Sequence, residues 1–225
     1  MSDSEFFREV NEAVRHEQYK RLWDRYGIFA IIGAGLIVAG VAGYKGWTYW
    51  REKEAGDAGA QFTEALTLAK TGEADKAREA FTQLSEKGPK GYRALARFQL
   101  AAAETKAGET DKAIASYDSL ANDAEVDAIL KGYATIQAAT LKLSSADYAE
   151  MARRLKALAE GTSPWRFSAR ELLGLSAYKL DNMPDAENQF SALASDESTP
   201  SNMRERADMM LALIAGAKAP AATAN

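Results

Sequence analysis

His16 is the only histidine in the chain, and it lies four residues after Glu12, so a helix would put both on one face. An imidazole beside a carboxylate is the smallest unit of general acid–base chemistry or of metal ligation. One such pair supplies too few donors for a metal and no nucleophile, and a solvated surface position is the simpler reading. The chain has no cysteine, which excludes disulfides, thiolate metal sites and thiol nucleophiles. It also lacks a nucleophile elbow and a phosphate-binding Gly-Lys loop. The remaining titratable groups are Asp, Glu and Lys scattered at helical spacing, as on a solvated face. No catalytic residue, cofactor, metal or small-molecule substrate is expected, and the chain reads as a non-enzyme.

Other side chains suit the binding of a protein. Aromatic and Arg residues dominate interface hot spots. Tyr92, Arg93 and Arg97 form one candidate group and Trp165 and Arg166 another. Each has a competing structural use: Trp165 can fill a corner after Pro164, and arginine stems can cover apolar surface. Nucleic acid is excluded as a partner. The net charge of −4 falls on residues 51–225, because residues 1–50 carry equal numbers of basic and acidic side chains. Phosphate neutralisation needs a basic face instead.

The elements that must hold these residues are helices. Apolar residues make up 47% of the chain, too many for a wholly disordered one. Alanine is abundant, only five prolines occur, and strand-like Val, Ile and Thr runs are absent outside residues 28–41. The expected fold class is all-α: one transmembrane helix followed by an α-solenoid of helix pairs.

Gly27 to Tyr44 contains no charge, and continuing to Trp50 adds only Lys45, which can snorkel. A span needs about 20 apolar residues. Ile28, Phe29, Ile31, Ile32, Leu36, Ile37, Val38 and Val41 favour insertion by roughly 2.4–4.8 kcal/mol together. Trp23 and Tyr26 mark one membrane interface; Tyr44, Trp47, Tyr49 and Trp50 mark the other. The 26-residue charged stretch before the apolar run argues against a cleaved signal peptide. Arg15, Lys20, Arg21 and Arg25 before the span slightly outnumber Lys45, Arg51 and Lys53 at or after it, which favours a cytoplasmic N-terminus. In a Gram-negative cell the rest would then lie in the periplasm, anchored to the inner membrane. Gly35, Ala39 and Gly43 recur every fourth residue, so another helix could approach that face. Gly and Ala are common in spans in any case.

Residues 3–24 read as a helical arm. Ser2 and Glu5 fit a capping box, and Phe6, Val10, Ala13 and Val14 form one apolar stripe. The expected organisation is an arm over 1–26, the span over 27–50, repeats over 51–215 and a disordered tail over 216–225.

The repeats show as self-similarity. GEADKAREAFTQL, 72–84, and GETDKAIASYDSL, 108–120, match at an offset of 36: Gly72 and Gly108, Asp75 and Asp111, Ala77 and Ala113, Phe81 and Tyr117, Leu84 and Leu120. A further copy, DNMPDAENQFSAL at 181–193, keeps Asp185, Ala186, Phe190 and Leu193. Its spacing leaves room for a degenerate unit near Ala149, within SSADYAEMARRL at 144–155, which lacks the Gly and the aromatic. In each unit the Gly should end a first helix in a left-handed conformation and the Asp should cap the second. First helices are expected over 55–70, 90–106, 127–143 and 165–180, and a closing helix over 201–215.

A helical pair with Gly, Asp, Ala and an aromatic at these offsets resembles tetratricopeptide repeats, although the usual period is about 34 residues. The layout as a whole is similar to the bacterial ancillary SecYEG translocon subunit family: a short charged N-terminus, one span closed by Gly46-Trp47-Thr48-Tyr49-Trp50, and degenerate repeats. EFFREVNEAVRHEQYKRLWDRYG, 5–27, and SPWRFSARELLGLSAYK, 163–179, resemble alphaproteobacterial members. The resemblance implies a periplasmic domain that associates with Sec translocon subunits and a membrane-anchored periplasmic chaperone in envelope protein biogenesis. A structural or regulatory envelope scaffold, for cell division or signalling, is the alternative.

Overall fold

Helix α1 runs without a break over Asp3–Lys70, joining the segments expected as arm, span and first repeat helix. No proline interrupts the chain before Pro89, so nothing removes a backbone donor between them. A computed structural model describes residues 3–218, with backbone alone for residues 3–19, 21, 22, 30 and 218. The expectations for the Ser2 cap, the Glu12–His16 pair, the Phe6–Val14 stripe and the tail from 219 onward lie outside the described residues. The chain divides into two units, Met1–Gly56 and Asp57–Asn225.

In the first unit, the described part of α1 has its large apolar side chains out in the open. Ile28, Phe29, Ile31, Ile32, Leu36, Ile37, Val38 and Val41 are all more than half exposed. Among the described residues this is the one helix long and apolar enough to cross a membrane, with a mean hydropathy of 2.0 in its most apolar stretch. Water does not stabilise such a surface, since each apolar side chain buried is worth about 1.5–3 kcal/mol.

The second unit contains the end of α1 and eight further helices: α2 (Ala74–Lys87), α3 (Lys90–Lys106), α4 (Thr110–Asn122), α5 (Ala128–Lys142), α6 (Tyr148–Glu160), α7 (Arg166–Lys179), α8 (Met183–Ser195) and α9 (Ser201–Lys218). Among them α3, α5 and α7 match the expected first helices to within one residue, whereas α1 ends at the expected residue 70 but begins long before 55. Helix α9 extends three residues beyond 215, into the segment read as tail. Consecutive helices pack antiparallel in a chain of pairs, and α7 also touches α5 and α9, so the first helices of successive pairs adjoin. Instead of one core there are four clusters in series, centred on Phe81, on Phe98 with Tyr117, on Met151 with Leu155, and on Phe190 with Ile214. Each pair buries its apolar face only against its neighbours, as in a solenoid.

The glycine turns form as the sequence implies. Gly72 and Gly108 have φ of +89° and +76°. After each, a backbone N–H reaches back five residues: Glu73 to the Leu68 carbonyl at 2.9 Å and Glu109 to the Glu104 carbonyl at 3.0 Å. This is a Schellman closure, which satisfies carbonyls at the helix end. The fourth unit makes the same closure without glycine. Asp181 takes φ +56°, and Asn182 N–H donates to the Ala177 carbonyl at 2.9 Å.

Two expectations are corrected. The N-caps of α2 and α4 are Glu73 and Glu109, with no side-chain cap bond; Asp75 and Asp111 lie inside the first turn. Those carboxylates therefore act on the helix dipole rather than on a single free N–H. Side-chain capping occurs at Asp127, Asp147 and Asn182 instead. The degenerate third unit is also displaced. The buried positions of α6 are Met151, Leu155 and Ala159, and Ala149 is exposed. Met151 thus takes the place of Ala77, Ala113 and Ala186. The connection before α6 is two residues longer than the period, and it has no residue at positive φ.

Candidate partner-binding surface

In the first unit, Gly35 and Gly43 face open space: a Cβ built on either meets no atom within 4 Å. Ala39 lies between them at helical spacing. Trp23 is folded over its own helix at Gly27, where a Cβ would come within 3.2 Å of the indole. The Arg25 guanidinium lies 5.9 Å from the Tyr26 ring centroid. At the other end, the Trp47 and Trp50 rings lie 5.9 Å apart, and Tyr49 is 70% exposed. An aromatic ring with a polar edge suits a boundary between hydrocarbon and water.

In the second unit, the five candidate residues sit at junctions between helix pairs. Tyr92, near the start of α3, packs its ring 5.9 Å from that of Phe62, and its hydroxyl approaches Gly59 so closely that a Cβ there would lie 2.7 Å away. Arg93 and Arg97, on the same helix, reach the α4–α5 connection. Arg93 donates to Glu125 at 2.8 Å, with Lys90 on the other oxygen at 3.1 Å. Arg97 donates to Asp123 at 2.5 Å and to the Ser119 hydroxyl at 3.0 Å. The hydrogen bond from Arg97 holds the Asp123 carboxyl below its usual range. Trp165 donates its indole N–H to the Ile129 carbonyl at 2.8 Å and sets its ring 5.3 Å from Tyr133. The Arg166 guanidinium stands 4.0 Å from the centroid of the neighbouring Phe167 ring, a cation–π distance. The structure therefore does not gather the five into one patch. It brings Arg93 and Arg97 together, and separately Trp165 and Arg166, each with a partner inside the protein.

Other polar residues that the sequence did not single out hold the stack together. Lys179 Nζ donates to the Leu143 carbonyl at 3.2 Å and to that of Ser144, meeting the negative end of α5. Arg204 Nη2 donates to the carbonyls of Glu197 at 3.0 Å and Thr199 at 3.1 Å, closing the α8–α9 connection. Lys142 pairs with Glu150 at 2.6 Å, and this hydrogen bond holds the Glu150 carboxyl below its usual range. Contacts one period apart are visible in sequence only once the register of the third unit is known.

Clefts open between the helices, a small one of about 130 Å³ at Arg93 and Arg97 and two larger ones. One, of about 370 Å³, lies among α6, α7 and α8, lined by Tyr148, Lys156, Arg170 and Gln189 among others. Burial raises the Tyr148 hydroxyl above its usual pKa, so it stays a neutral donor. The other, of about 300 Å³, lies between the end of α1, α2 and α3, over Phe81 and Leu100. Its chemistry differs from every predicted site: an alanine floor and a cationic rim.

The family model of the tetratricopeptide repeat-like domain matches residues 20–216. No curated protein and no solved structure matches the chain.

Proposed function

The chain belongs to the tetratricopeptide repeat-like domain family, and we propose that it is a membrane-anchored, non-enzymatic adaptor that holds partner proteins beside the inner membrane. The observation that carries this reading is the exposed apolar run of α1 from Ile28 to Val41, joined in sequence to a stack of helix pairs. The run gives the chain a reason to sit in a bilayer, and a stack of pairs offers long faces for protein contacts. In this reading residues 1–26 are cytosolic, 27–50 cross the membrane, and the repeats from 51 to the end of α9 are periplasmic. The aromatic residues Trp23, Tyr26, Trp47, Tyr49 and Trp50 lie at the two interfaces, and Gly35, Ala39 and Gly43 face a neighbouring helix. The partners are Sec translocon subunits and a membrane-anchored periplasmic chaperone, and the process is envelope protein biogenesis. Support comes from the small positive excess before the span and from the family-like motifs at 5–27 and 163–179.

Purification of the full chain in mild detergent tests the partners. Translocon and chaperone components are expected to copurify. Recovery of other envelope proteins without either would replace the secretion role with a scaffold role. Protease added outside spheroplasts should digest residues 51–225, and protection of that segment would overturn the orientation.

A further inference from the structure

The cleft beside α2 and α3 differs from the next junction along the stack at two lining positions and in the pairing of its charges. At an offset of 36 residues, the counterparts of its lining can be read off. Arg78 stands where α4 has Ile114, which is 8% exposed. Ala107 stands where the next unit has Leu143, which packs on the core cluster around Met151. At those two positions the lining of the cleft carries a cation and a methyl group where the next unit carries two aliphatic side chains. The cleft, of about 300 Å³, has six alanines among its lining residues and Phe81 and Leu100 at its base.

The third difference is electrostatic. Lys106 and its counterpart Lys142 both end a first helix. Lys142 is neutralised by Glu150, the third residue of α6, at 2.6 Å. The third residue of α4 is Lys112, a like charge, which is itself held by Glu104 and Glu109. Lys106 therefore has no carboxylate partner among the described residues, and neither has Arg78. No acidic side chain lines the cleft. Two unpaired cations thus border an apolar floor, and among these residues nothing of the protein's own completes the site.

We propose that this cleft docks an acidic, apolar-tipped segment of a partner protein. An aliphatic or aromatic side chain of the partner rests on the alanine floor, and carboxylates flanking it meet Arg78 and Lys106. The volume is at the lower end of the roughly 300–1,000 Å³ of ligand pockets, enough for a few side chains. The apolar contact supplies affinity, and the cations set the sign of charge a partner must carry. The proposal rests on the adaptor reading above and adds the place and the chemistry of recognition.

The test places a photo-crosslinking benzoylphenylalanine at Gln99, which lines the cleft, in the full chain in membranes, and sequences the crosslinked segments. A second probe at Asn188, in the cleft of α6–α8, is the control. Crosslinks from Gln99 should fall in segments where an apolar residue lies beside Asp or Glu. Arg78→Glu with Lys106→Glu should lower their yield by at least about tenfold, since two attractions become repulsions. Arg78→Lys with Lys106→Arg should retain the yield. Arg78→Ile with Ala107→Leu copies the second junction into the first, so it should fold and lose the crosslinks. Crosslinks to basic or uncharged segments, or a yield indifferent to charge reversal and to filling, would overturn the proposal. If partners still copurify while Gln99 yields no crosslink, the site is wrong and the adaptor reading stands. If none copurifies, the adaptor reading itself fails.

Discussion

Arg154 of α6 forks onto Asp118 of α4, thirty-six residues earlier, with Nη1 donating to Oδ1 at 2.5 Å and Nη2 to Oδ2 at 2.9 Å. The hydrogen bonds it donates to Asp118 raise the Arg154 pKa further, so the pair stays charged. Trp165 to the Ile129 carbonyl spans the same offset, and Arg206 forks onto Glu171 across thirty-five residues. Side chains reaching back about one period join successive pairs where the four core clusters are separate. Replacing Arg154 by Met should lower stability by about 1 kcal/mol, the scale of a partly exposed bidentate pair. For a domain of this size that is about 2–4 °C in melting temperature. A double-mutant cycle with Asp118→Asn should show coupling of similar size; strict additivity would mean the pair carries no net energy.

Trp165 is the second junction device. Gly132 lets it lie flat, because a Cβ there would come within 2.4 Å of the indole. Gly132→Ala should therefore destabilise by about 1–3 kcal/mol, although alanine is the better helix former. Thermal melts would decide: stabilisation would show that the indole moves aside at no cost.

Backbone conformation makes opposite predictions at equivalent turns. Gly72→Ala and Gly108→Ala place a Cβ at positive φ, and each should cost about 1 kcal/mol. Asp181→Gly relieves the same conformation in the fourth unit and should be neutral or stabilising by about 0.5 kcal/mol, since Asp tolerates it better than most residues. Urea midpoints that move in the same direction for all three would contradict the Schellman assignment.

Acid should loosen the middle of the stack. Asp123 and Glu150 are held below their ordinary values of 3.8 and 4.5, chiefly by hydrogen bonds from Arg97 and Lys142. The folded state therefore releases these protons more readily than the unfolded one. Their stabilisation is complete above about pH 4.5 and is lost as the pH falls through the lower folded values. Melting temperature measured from pH 6 to pH 3 should fall more shallowly in Arg97→Gln with Lys142→Gln than in the parent. Equal slopes would rule these carboxylates out as the acid-sensitive groups.

The proposed anchor has a threshold. Val38→Arg adds about 3 kcal/mol at the centre of the apolar run, comparable with the roughly 2.4–4.8 kcal/mol that its strong residues contribute. The variant should appear in the soluble fraction or at lower yield, whereas Val38→Leu should behave as the parent.

What the sequence determined by itself was most of what depends on neighbours within a few residues, the caps of α2 and α4 excepted. Helix positions followed from apolar spacing, and the ends of the first helices from Gly72 and Gly108, because a Schellman closure involves only about six consecutive residues. The apolar run was legible for the same reason: insertion is a sum over adjacent side chains. The tertiary structure alone decided what depends on residues a whole period away. It moved the third unit by two residues, so that Met151 and not Ala149 is buried, because the core selects the register that fills space. It gave Arg93, Arg97 and Trp165 partners inside the protein, since a sequence names candidate anchors but not the carbonyl or carboxylate that another pair brings to them. And it opened a cleft between the end of α1, α2 and α3, because the small side chains there become a volume only when helices from two units are packed around them.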